Sequence, residues 1–153
     1  MRIQPIEPGT RNELADIEQQ IQAERGRISP LYQVLLHSPA IAKGWEGMLS
    51  AVRNYSSISP AIRELIILRV AMLNNAAYEF DAHVPHALKA GTSQEAIDAT
   101  RDVSVDVNAH WTPVEQLAIQ VTDALTRKVE VPEALFQRVA EHFNEQEQVE
   151  LFA

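Results

Sequence analysis

Residues 59–91, SPAIRELIILRVAMLNNAAYEFDAHVPHALKAG, constrain the fold more than any other part of the chain. Ser59 followed by Pro60 reads as an N-cap and a first helical residue. From Ile62 to Leu73 the run is apolar apart from Arg63, Glu64 and Arg69. A helix this apolar belongs at the centre of a core. Its charged side chains then need partners or solvent, because an unpaired buried charge is costly. Asn74 and Asn75 end it. A second helix extends to about Ala90, with Gly91 as a C′ residue able to take positive φ.

The rest of the chain reads as helices around this pair. Residues 1–9 carry two prolines and a glycine and should be extended. In 10–22, Leu14, Ile17 and Ile21 mark one apolar stripe on a surface helix, which Gly26 ends. Pro30 opens a short helix through Leu31, Val34 and Leu35. Ser38-Pro39 opens another, with Ile41, Trp45, Met48, Leu49 and Val52 on one side. Trp45 and Trp111 read as core or interface aromatics, and 54–57 as a polar turn. Thr92 and Glu95 fit a capping box, as do Thr112 with Glu115 and Asn144 with Glu147. Residues 103–109 alternate like a strand, but a lone strand has no partner, so this is a loop or irregular helix. The helix from Pro113 runs to about Arg127. Pro132 starts the next, with Leu135, Phe136, Val139 and Phe143 facing inward. The helix begun at Asn144 is expected to continue past Ala153, which suggests a truncated C-terminus.

The expected fold is therefore all-α, with seven to nine helices in a single domain over 1–153. Its core is 59–127, with N-terminal helices in 10–54 and C-terminal helices in 132–153. A chain of 153 residues buries about two thirds of its unfolded surface and needs no metal or disulfide for stability.

Composition narrows the function. The chain has no cysteine, which excludes disulfides, zinc–thiolate sites, iron–sulfur ligation and thiol nucleophiles, and fits a reducing compartment. A formal charge of −8 disfavours nucleic acid as a partner. No apolar run reaches the roughly 18 residues of a membrane span, and the N-terminus lacks the apolar segment of a signal peptide. A cytoplasmic protein is expected. Neither a Gly-rich phosphate loop nor a G-x-S-x-G elbow is present.

The second central helix carries most of the residues able to do chemistry near neutral pH. Glu79, His83 and His86 fall at i, i+4 and i+7, so they share a face, with Tyr78 beside it and Asp81 pointing largely away. In an antiparallel hairpin about Asn74-Asn75, Glu64 approaches His83. Two carboxylates and an imidazole in an apolar setting suit general acid–base work. The plainer alternative is an exposed i,i+4 pair of Glu79 and His83, with Glu64 satisfied by Arg63 or Arg69. A metal site at Glu79, His83 and His86 is a further alternative. It would take all three ligands from one helix, across a kink expected at Pro85, so no metal is assigned. His37, His110 and His142 are scattered.

Taken together, Arg63-Glu64-Leu65, Tyr78-Glu79-Phe80, His83-Val84-Pro85, Ala87 and Gly91-Thr92-Ser93 resemble the carboxymuconolactone decarboxylase family, which includes the alkyl hydroperoxidase D-like proteins. The resemblance is strong over 59–99 and weaker over 111–126. The peroxidase branch carries Glu, eleven residues, Cys-x-x-Cys, three residues, His. Glu64 and His83 match the Glu and the His, while Ala76 and Glu79 stand at the two cysteine positions.

The resemblance implies an all-α bundle of the alkyl hydroperoxidase D-like type that assembles as a homotrimer or homohexamer. It also implies a cofactor-free branch without thiol-peroxidase chemistry. The implied activity is that of a lyase or isomerase on a small carboxylated lactone or related organic acid. Glu64, Glu79 and His83 are then the catalytic candidates. Arg63, Arg69, Tyr78 and His86 are the substrate-binding candidates. A non-catalytic oligomeric binding or scaffold protein is the alternative function.

Overall fold

A computed structural model describes residues 2–153. Among them are nine α-helices, a 3-10 turn at Asn12–Leu14, a π-helical turn at Ala51–Tyr55 and no strand. The protein is all-α, as its sequence pattern requires. The chain forms two compact units, residues 1–56 and 57–153.

The first unit holds α1 (Ala15–Arg25), α2 (Pro30–Leu35) and α3 (Pro39–Ser50). Gly26 ends α1 in the left-handed region at φ 72°, where glycine carries no Cβ penalty. Leu14 and Ile21 are buried with Ile6, Tyr32 and Leu36, so the expected α1 stripe does face the core.

Helix α3 turns most of its apolar side outward. Ile41, Trp45 and Met48 are exposed, while Ala42, Glu46 and Ser50 are buried. The cause is the carboxylate of Glu46. Arg25 Nε lies 3.1 Å from both of its oxygens, Ser50 Oγ donates to it at 2.6 Å, and the Tyr32 hydroxyl donates as well. A buried carboxylate with this many donors is satisfied, so the polar side of α3 turns in. Burial alone raises the Glu46 carboxyl, but the hydrogen bonds from Ser50, Tyr32 and Arg25 outweigh it and hold the group below its ordinary value. Burial, then the bond to Glu46, pushes the Tyr32 hydroxyl up to about 12. The segment expected to be a polar turn from Asn54 instead continues α3 as the π-helical turn through Tyr55.

The second unit holds α4 (Pro60–Leu73), α5 (Ala77–Lys89), α6 (Gln94–Ala99), α7 (Pro113–Lys128), α8 (Glu133–Ala140) and α9 (Glu145–Phe152). Helix α4 is central and packs against both α5 and α7. Leu68, Phe80, Ala87 and Ile97 tie α4 and α5 to α6, while Leu117, Val121, Val139 and Phe143 tie α7 to α8. Ser59 Oγ caps α4 by accepting from the Ile62 amide at 3.3 Å. Capping boxes at Thr112 and Asn144 start α7 and α9.

The third expected box does not form, and a simple cap one residue later takes its place. Gly91, at φ 91°, lets the Thr92 amide bond back to the Ala87 carbonyl at 3.0 Å, closing α5. Ser93 therefore caps α6 instead of Thr92, accepting from the Ala96 amide at 3.1 Å. Trp111 is buried, and its Nε1 donates to the Ala96 carbonyl at 3.0 Å. Residues 103–109 contain turns and bends only. Among the described residues, no helix is long and apolar enough to cross a membrane.

Candidate functional site

Glu64 lies in the second turn of α4 and His83 in the middle of α5. The turn between these helices uses Asn75 at φ 55°, a left-handed conformation that asparagine tolerates. It sends α5 back along α4 and sets the two side chains face to face. His83 Nδ1 lies 2.7 Å from Glu64 Oε2, and both side chains are more than nine-tenths buried. Among apolar neighbours such a bond is short, strong and orienting. With Nδ1 donating to the carboxylate, the tautomer leaves Nε2 as the nitrogen on the other edge of the ring.

Nε2 lies 3.9 Å from Oε2 of Glu79, whose side chain is 57% exposed. One edge of the His83 imidazole is thus closed by a buried carboxylate and the other flanked by an open one. Arg63 Nε stands 3.8 Å from Glu64 Oε1, and this nitrogen is buried with no hydrogen-bond partner. The His86 ring is 5.5 Å from that of His83, tilted by 49°, and is exposed. Tyr78 is 81% exposed. The structure therefore groups Glu64, His83, Glu79, Arg63 and His86, with Tyr78 on the open side of α5. Helix α5 runs through Pro85 as one helix.

Arg69 is not part of this group. It is fully buried, and its five N–H groups all meet acceptors. Asp123 takes two at 2.6 Å each, and the carbonyls of Thr100, Asp102 and Val105 take the others at 3.2, 2.8 and 2.7 Å. A guanidinium has five N–H donors, so none remains for a substrate carboxylate. Sequence reasoning missed Asp123, because Arg69 reaches its partner through a different helix. The only signal was a carboxylate amid the apolar residues of α7.

Among the described residues, no three His, Asp or Glu side chains converge so as to hold a metal ion. A separate cleft of about 700 Å³ lies between the 103–106 loop, α7 and α8, and shares no lining residue with the Glu64–His83 group.

Comparison with known proteins places these residues in context. The model of the carboxymuconolactone decarboxylase family matches residues 39–124, which span α3 to α7. The chain is also similar to the uncharacterized protein YdfG of Bacillus subtilis (strain 168), at 32% identity over 98 residues. That match covers 63% of this chain and 65% of the relative.

Proposed function

The chain belongs to the carboxymuconolactone decarboxylase family, and from that premise we propose that it is a cofactor-free lyase or isomerase acting on a small carboxylated lactone or related organic acid. One observation carries the proposal: the buried 2.7 Å pair of Glu64 and His83, with the open carboxylate of Glu79 on the far side of the ring.

In a decarboxylation the bond from carbon to the departing carbon dioxide breaks. Its electron pair passes onto carbon and is delocalised toward the lactone carbonyl. The protein must hold the substrate, stabilise that charge and return a proton to carbon. His83 is the proton donor in this reading, or Glu79 in its acid form, and Glu64 orients His83. Arg63 is the cation beside the pair able to hold a substrate carboxylate. Tyr78 and His86 flank the open side and contact the substrate's body.

The same reading takes the working form as a homotrimer or homohexamer. The exposed apolar residues Ile41, Trp45 and Met48 on α3 support self-association, because isolated surfaces seldom present them on one helix face. A non-catalytic oligomeric member is the second reading. The exposure of Glu79, Tyr78 and His86 favours it, since acid–base chemistry is weaker in water.

Turnover of a panel of small lactones and dicarboxylates, followed by carbon dioxide release and loss of lactone absorbance, separates the two. The enzyme reading expects turnover that His83→Gln removes. No turnover across the panel by the assembled protein favours the second.

A further inference from the structure

We infer that the cleft between the 103–106 loop, α7 and α8 is a second ligand site, built for a small carboxylate with an apolar body. At about 700 Å³ it lies inside the roughly 300–1,000 Å³ typical of small-molecule sites. Val105, Ala124 and Leu135 give it an apolar lining, and Arg127, Lys128 and Arg138 bring three cations to it.

One wall is fixed in advance. Arg69 reaches out of α4 and pins the loop and the residues leading into it by three carbonyls, those of Thr100, Asp102 and Val105. Arg127 adds a bond to the Val103 carbonyl. A wall already held in place loses little entropy when a ligand binds.

The charge balance points to an anion. Asp106, Asp123 and Glu130 also line the cleft, but both Asp123 oxygens already accept from Arg69. Buried Arg69 neutralises Asp123, which leaves Arg127, Lys128 and Arg138 facing Asp106 and Glu130, on a chain whose formal charge is −8. The two arginines keep donors to spare. Arg138 gives Nη1 to Gln120 Oε1 at 3.0 Å, and Arg127 gives Nη2 to the Val103 carbonyl, the same nitrogen standing 3.9 Å from Asp123 Oδ2. Five N–H groups on each leave a fork for a carboxylate. This inference is independent of the Glu64–His83 reading, with which the cleft shares no residue.

The test titrates benzoate, benzamide and benzylamine, one aryl body in three charge states, into the ¹⁵N-labelled full chain. Amide shifts locate each probe and calorimetry gives its affinity. Benzoate should shift the amides of 103–106, 124–128 and 134–138, and bind at least tenfold tighter than the other two probes. The Arg127→Gln/Arg138→Gln double variant should weaken benzoate at least tenfold. Ala134→Trp, which narrows the cleft without touching a charge, should weaken it similarly even where the double variant loosens the loop. His83→Gln should leave benzoate binding unchanged. Equal binding of the three probes, shifts centred on α4 and α5 instead, or an affinity that Ala134→Trp leaves intact would each overturn the inference.

Discussion

Nδ1 of His83 and Oε2 of Glu64 are 2.7 Å apart, joined across two helices that a left-handed Asn75 folds back on each other. The partners lie 19 positions apart in sequence, so only the hairpin brings them together. The imidazole cannot turn without breaking a buried charge-assisted bond. His83→Gln should abolish any turnover found in the substrate panel. Glu64→Gln, which keeps the shape but not the charge, should lower kcat by about 10²–10⁴ and move the pH profile. Both variants should keep the wild-type circular dichroism spectrum. Unaltered kinetics in folded Glu64→Gln would remove the pair from the mechanism.

Arg69 is predicted to be a residue of stability. Arg69→Met leaves the Asp123 carboxylate and three carbonyls without donors, and should cost about 3–5 kcal/mol in urea unfolding. Arg69→Lys should recover little of that, because an ammonium has three donors and no planar fork. A loss below about 1 kcal/mol for either variant contradicts the count of bonds.

These two residues show how far the sequence could be read. Glu64 and His83 were legible because spacing, capping signals and the apolar run fixed both helices and the turn between them. The Arg69–Asp123 pair was not, because it depends on how α4 meets α7, and no local pattern encodes that. Helix α3 was legible only in part, for a related reason. Its apolar stripe did not say which way it faces, and Glu46 finds Arg25, Tyr32 and Ser50 on the other side. A fully bonded carboxylate is costly to expose once its partners are fixed, and a periodicity rule does not see partners. At Thr92 the expected capping box does not form: the end of α5 takes the Thr92 amide, and α6 starts on a simple Ser93 cap one residue later.

No thiol-peroxidase turnover is expected. The chain contains no cysteine, and Ala76 and Glu79 stand where the peroxidase branch has its redox pair. Peroxide consumption with a dithiol reductant should match the rate without protein. Reductant-dependent consumption that Glu79→Gln removes would show another chemistry at that position.

Assembly can be weighed directly. Light scattering at micromolar concentration should read at least three times 17.1 kDa. Trp45→Glu and Met48→Lys place charges on the exposed face of α3 and should lower that mass. A monomer mass for the wild-type chain, or variants that assemble unchanged, leaves this face without the role proposed for it.

The Glu46 cluster gives the first unit a pH dependence whose sign follows from its two shifts. Tyr32 is pushed up to about 12 from an ordinary 10.0. Between those values the unfolded chain loses the phenolic proton while the folded chain keeps it. Stability present below pH 10 is therefore lost as the pH rises toward 12. Glu46 behaves in the opposite sense. Its folded carboxyl lies below 4.5, so its contribution is present above that pH and is lost as the pH falls through the lowered value. Urea unfolding followed by Trp45 fluorescence should show both limbs. Tyr32→Phe should cost about 1–2 kcal/mol at neutral pH, because Glu46 loses a donor, and should flatten the alkaline limb while leaving an acid one. An alkaline limb of undiminished slope in Tyr32→Phe would assign that loss of stability to another group.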